Sequence, residues 1–272
     1  MPSKTIAITN QSSGLVRPGL ETRSANVAVP VLDQEPNGIG HLLATVVGRA
    51  HPVRTFLVGV ILSFVSIAGL SILLGLIVTR VILRDGGIDS ADGSLVRVLS
   101  HHRSSGLTDA SLIGSIMAGG VVLPIVVGVC GLVAALFKKW RLGAFLIFAL
   151  AVESGAYRAT TLLVHRRRPE VPRLESLPVN ASYPSGHTAA AIAVYCGLAL
   201  LLTSKISSLA PRVIIWAVAA TIPVYVAFAR MYRGMHHPLD VLGGVVIGIA
   251  ALAAMVLVSR AAGLAADERD ES

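Results

Sequence analysis

The chain has 272 residues, 54% of them hydrophobic and only 14% charged, and its mean hydropathy is +0.73. Those proportions exclude a disordered chain, a collagen-like one and an ordinary water-soluble enzyme. Twenty-three Lys and Arg against fifteen Asp and Glu leave a net charge of +8, which on a membrane protein serves cationic loops and anionic ligands rather than nucleic acid.

Residues 1–50 mix Ser, Pro, Gly and Asn with scattered charges and hold too few recurring apolar residues for a core. They read as a flexible cytoplasmic tail. The first apolar stretch begins near residue 55, too late for a cleaved signal peptide, so it is expected to remain as an anchor. A hydrocarbon core of about 30 Å needs roughly 20 apolar helical residues. Stretches that meet this are 55–79, 110–137, 142–164, about 187–204, 213–229 and 241–259. A chain this short cannot bury six such helices on all sides in a water-soluble core. The expectation is an all-α bundle of six transmembrane helices over 51–260, followed by a short acidic cytoplasmic tail, 261–272. Cys130 and Cys196 lie inside apolar runs, so neither a disulfide framework nor a thiolate metal site is indicated.

Basic residues orient the spans, because cytoplasmic loops retain Lys and Arg. Lys4, Lys138, Lys139 and Lys205 all fall on the side of the N-terminus. Six spans then put both termini in the cytoplasm. The opposite loops nevertheless carry Arg166, Arg167, Arg168, Arg173, Arg230 and Arg233, which suggests that arginines there have a ligand. Arg166, Arg167 and Arg173 read equally well as contacts to lipid headgroups.

On this count of spans, four polar clusters share the extracytoplasmic face. Arg168-Pro169 follows the third span, Ser185-Gly186-His187 opens the fourth, Arg230 closes the fifth, and His236 with Asp240 opens the sixth. Phosphoryl transfer without a metal needs such residues. Guanidinium forks hold phosphate oxygens in pairs, and imidazole serves either as nucleophile or as proton donor. His236 and Asp240 are one helical turn apart, so the carboxylate is placed to accept a hydrogen bond from the non-attacking ring nitrogen. His187 stands at a helix start, where free amides favour an anion, Gly186 permits close backbone approach, and Ser185 offers a hydroxyl. His237 is displaced by one residue from the spacing to Arg230 and Asp240 and reads as a neighbour. Glu153 and Arg158, inside the third span, read as a structural pair buried between helices. The small-residue runs, Gly243-Gly244 among them, read as sites of close helix approach.

With these residues in place the sequence resembles the type 2 phosphatidic acid phosphatase (PAP2) superfamily, which includes lipid phosphatases and vanadium haloperoxidases. The family pattern is Lys-x6-Arg-Pro, Pro-Ser-Gly-His and Ser-Arg-x5-His-x3-Asp. Here the second part is intact as Pro184-Ser185-Gly186-His187, and the third reads Ala229-Arg230-x5-His236-x3-Asp240. The first keeps Arg168-Pro169 but has Thr161 in place of its lysine. The resemblance spans about residues 150–250. It implies that His236 attacks phosphorus, Asp240 orients it, and His187 protonates the leaving oxygen. It also implies that Arg168, Arg230, Ser185 and Gly186 cradle the phosphoryl oxygens, with no metal and no cofactor. Arg158 is one helical turn before Thr161, but helical side chains lean toward the N-terminus, here away from the site, so Arg166 or Arg167 is the better substitute for the lysine and the choice stays open. The implied substrate is a lipid phosphomonoester or pyrophosphate: polyprenyl pyrophosphate, phosphatidic acid or phosphatidylglycerophosphate. A lipid phosphotransferase of the same fold and a non-catalytic lipid-binding or transport protein are the rival readings. A haloperoxidase fits poorly, because those relatives are soluble.

Overall fold

A computed structural model describes residues 31–32 and 51–270, with side chains as far as 266. The rest of the expected N-terminal tail lies outside the described residues. Val31 and Leu32 are held: Leu32 is buried in the core, and Arg141 and Arg260 donate to the carbonyls of Leu32 and Val31 at 2.7 and 3.0 Å.

The described residues form eight α-helices and one 3-10 turn, Ile82–Arg84, and no strand occurs among them. Helix α1 covers Pro52–Arg80; Pro52 sits in the first turn, where no intrahelical amide is lost, and the His51 ring accepts from Val53 N. Helix α2, Gly86–His101, is capped by Asp85, whose carboxylate accepts from Gly87 N at 2.8 Å. The sequence reading had no helix there. The segment is too polar to span a membrane and is buried only at Asp92, Gly93 and Val96.

The second expected span is broken. It consists of α3, Ser105–Met117, and α4, Val122–Leu136, bent by 45°. Gly119 and Gly120 lie in the break, where their poor helix propensity makes the interruption inexpensive. Helices α5 (Trp140–Leu163), α6 (Gly186–Thr203, with a π turn over Ile192–Cys196), α7 (Leu209–Tyr232) and α8 (Pro238–Asp270) complete the set. Five helices are long and apolar enough to cross a membrane, and the bent pair makes a sixth span. The expected boundary at residue 260 coincides with no break, because α8 runs on through it and buries Ala261 and Ala265.

Phe145, Ala149 and Ala156 of α5 occupy the core with Ala189 of α6, Val226 of α7 and Ile247 and Ala251 of α8. Outward-facing positions are apolar as well, including Val65, Leu132, Leu162, Ile214, Val224 and Ile249. A protein apolar on both its inner and outer faces is solvated by lipid. Alanine and glycine at the inner positions bring helix axes together. A Cβ on Gly244 would collide with the Ser185 carbonyl oxygen, so α8 meets the start of α6 at backbone contact there. The molecule is a multi-pass membrane protein.

Candidate active site

The four polar clusters meet at one end of the bundle. That end carries the C-termini of α5 and α7, the N-termini of α6 and α8, and the loop over 164–185. Backbone bonds hold the loop: Arg166 N donates to Asn180 O, Ser182 N to Arg166 O, and Ser185 N to Asp240 O at 2.9 Å. The Arg168 side chain ties it further, donating to the carbonyls of Pro178, Ala181 and Met235. An irregular loop leaves carbonyls without amide partners, and one guanidinium supplies three of them. The expectation that Arg168 cradles phosphate therefore needs qualification. Arg168 lines the cavity, but three of its donors are committed to backbone.

His236 precedes α8 and is buried. Its Nδ1 lies 2.7 Å from the Ser182 carbonyl oxygen and 3.8 Å from Asp240 Oδ2. The sequence reading had Asp240 accept this hydrogen bond, and the geometry gives it to Ser182. The reason is that Asp240 is already occupied. It pairs with Arg166, accepts from the Ser182 hydroxyl at 2.5 Å, and accepts from His237 N at 2.8 Å. A carbonyl can only accept, so the proton of the neutral His236 ring sits on Nδ1 and Nε2 keeps its lone pair. Burial outweighs the nearby Asp240 and pushes the His236 imidazole down to about 4, which leaves the ring neutral at neutral pH.

Arg166 is buried between two carboxylates, Asp92 of α2 and Asp240 of α8. Asp92 also accepts from Leu239 N at 2.9 Å, so α2 fixes the first turn of α8. His237 faces this network rather than the His236 side, with its Nδ1 3.7 Å from Asp92.

Arg230 is fully buried at the end of α7. Its Nη1 donates to Ser115 of α3 and to Glu175 of the loop at 2.5 and 2.7 Å, while Nε and Nη2 have no partner. Glu175 also takes Arg233 Nε at 2.5 Å. Burial works against ionisation of Glu175, but the Arg230 charge and hydrogen bond prevail and hold the carboxyl down to about 2. Ser185 is buried, its hydroxyl 3.0 Å from that of Thr188, and a Cβ on Gly186 would meet the Tyr157 ring at 2.9 Å.

His187 and His236 open into one cavity of about 690 Å³. Its wall also includes Gly186, Arg168, Tyr157 and Arg158, and it runs between α4 and α5 past Leu123, Val127, Ile147 and Leu150. Glu153 lines it too and is buried, with Oε2 accepting from the Ser154 hydroxyl and Oε1 unpartnered. The expected Glu153–Arg158 pair is not formed. Five residues apart on a helix, the two side chains diverge by about 140°, and Arg158 is exposed where Glu153 is buried.

Asp92, Glu175 and Ser182 went unread in the sequence. Ser182 contributes a carbonyl, which no side-chain pattern announces. Glu175, an acid amid the loop arginines, carried a legible signal.

The fold defines a multi-pass membrane protein whose one end is polar and rich in arginine. Residues 140–263 match the model of the PAP2 superfamily. The chain is 25% identical over 183 residues to phosphatidylglycerophosphatase B of Bacillus subtilis, covering 66% of this chain and 88% of that protein. It is 41% identical over 76 residues to an undecaprenyl-diphosphatase of Sulfolobus acidocaldarius, covering 28% of this chain and 32% of that one. The crystal structure of a transmembrane PAP2-type phosphatidylglycerolphosphate phosphatase from Bacillus subtilis shares the fold. Its TM-score is 0.59 at 23% identity, over 75% of this chain and 93% of that one.

Proposed function

We propose that the protein is an integral membrane lipid phosphatase that works through a phosphohistidine without a metal. The observation that carries this reading is the convergence of His187, in the first turn of α6, and His236, just before α8, on one cavity that continues between membrane-spanning helices. His236 Nε2 forms the N–P bond while the bond from phosphorus to the lipid oxygen breaks, and His187 gives that oxygen its proton. Water then attacks phosphorus, His187 takes the water proton, the N–P bond breaks and inorganic phosphate leaves. The unpartnered donors of Arg230 supply the charge that the phosphoryl oxygens require, and Gly186 stands in the cavity wall. Asp240 acts at one remove, by fixing Ser182 and Arg166 around the ring.

Membrane embedding and the apolar run of the cavity support a phospholipid or polyprenyl phosphate, whose head reaches the histidines while its tail stays among lipids. The arrangement of lysines supports an active site on the extracytoplasmic face, with 51–260 as the catalytic unit and both termini cytoplasmic. Lys138, Lys139 and Lys205 stand in the loops at the bundle end opposite the histidines.

The test is phosphate release by purified protein in detergent from a panel of phospholipids and polyprenyl phosphates, with EDTA present. Release at an unchanged rate with EDTA, and none from folded His236→Ala or His187→Ala, is expected. A wild-type protein silent on every lipid contradicts the proposal. Label appearing on a second lipid instead of in free phosphate would assign a phosphotransferase.

A further inference from the structure

Of the arginines in the loop over 164–185 and at the ends of α5 and α7, the side chains of Arg166, Arg168, Arg173, Arg230 and Arg233 have protein partners, those of Arg158 and Arg167 have none among the described residues, and of these two Arg158 lines the cavity of the histidines. Arg166 is held between Asp92 and Asp240, Arg168 by three carbonyls, and Arg230 and Arg233 by Glu175. Arg158 makes no side-chain hydrogen bond or ion pair among the described residues, yet it lines the cavity that His187 and His236 share. It lies five residues before the end of α5, about 7.5 Å along the axis, on the histidine end of the bundle. An ionised side chain on a membrane span is costly unless it faces a cavity and an opposite charge. The cavity supplies the first condition; the Glu153 carboxylate lines the same cavity but accepts from Ser154 and makes no ion pair with Arg158, so the second is unmet among the described residues. The space is also far larger than a single phosphoryl group requires.

We propose that Arg158 binds a second phosphate of the substrate, the one that remains on the lipid when the terminal phosphoryl group leaves. The preferred substrates are therefore lipids that carry two phosphates, as a diphosphate or as a phosphomonoester beyond a phosphodiester, over lipids with a single phosphate. This rests on the phosphatase reading above. Arg230 and His236 hold the reacting group, and Arg158, nearer the apolar part of the cavity, neutralises the group that stays. A one-phosphate lipid leaves that cation without an anion.

The experiment compares kcat/KM of wild type, Arg158→Gln and Arg158→Lys in detergent on two pairs with matched tails. These are dioctanoyl phosphatidylglycerophosphate against dioctanoyl phosphatidic acid, and farnesyl diphosphate against farnesyl monophosphate. A charge-assisted contact corresponds to about a 10- to 100-fold preference. Arg158→Gln is expected to reduce the two-phosphate preference by that factor and leave one-phosphate turnover nearly unchanged, and Arg158→Lys to keep part of it. An equal loss on both members of each pair, as for a residue that merely seats the helix among headgroups, overturns the proposal, and so does an unchanged ratio. Wild-type protein that releases no phosphate from any of the four removes the phosphatase reading and this one with it. Wild-type turnover with no selectivity effect removes this one alone.

Discussion

Glu175 illustrates how much of the site depends on a residue that touches no reacting atom. It pairs with Arg230 and Arg233 from the loop, balances one of their two charges, and leaves Arg230 Nε and Nη2 free. Its folded value of about 2 lies below the ordinary 4.5. The stabilisation is thus fully present above pH 4.5 and is lost as pH falls through about 2. Glu175→Gln is expected to cost about 1–3 kcal/mol at neutral pH and to lower kcat/KM. The gap between wild-type and mutant thermal midpoints should stay constant down to 4.5 and then close. A gap that is unchanged in acid, or absent at neutral pH, contradicts the ion pairs. The histidines were legible from residue types and spacing because both follow fixed offsets from Gly186, Arg230 and Asp240. The partner of His236 was not. A turn of helix brings Asp240 into reach, but which oxygen wins the ring proton depends on what else Asp240 must satisfy, and Arg166, itself held by Asp92, reaches it from 74 residues away.

At the scale of elements, the long apolar stretches forecast α1, α5, α6, α7 and α8 because lipid demands internal backbone bonding over a fixed thickness. Two features escaped that logic. Helix α2 is too polar for a hydropathy reading, and its buried Asp92 makes sense only once Arg166 and Leu239 N are placed against it. The bend between α3 and α4 lies within an unbroken apolar run, where Gly119-Gly120 was legible as small residues but not as a break. Gly243-Gly244 did read correctly as a place of close approach. The near contact of Gly244 with the Ser185 carbonyl sets the spacing of the α6 and α8 starts, and so of His187 from His236.

Across the whole molecule, charge is divided between the two ends. Arg166, Arg168, Arg230 and Arg233 gather with their carboxylates at one, while Lys138, Lys139 and Lys205 stand with Arg54, Arg141, Arg212 and Arg260 toward the other. The proposed orientation predicts opposite labelling in a background with Cys130 and Cys196 replaced by alanine. A membrane-impermeant maleimide added to intact cells should modify Ser176→Cys, in the exposed loop before α6. It should reach Lys138→Cys only after permeabilisation, and the reverse order would invert the topology.

The central claim is that His236 carries the phosphoryl group, and trapping that group tests it most directly. Lipid labelled in its terminal phosphate, mixed with enzyme and quenched within a turnover, should leave label on the protein through a bond that is labile in acid and stable in alkali. The label should map to His236 and be absent from His236→Ala. Phosphate release at the wild-type rate by His236→Ala, or a label that stays on another residue in that variant, would contradict the account.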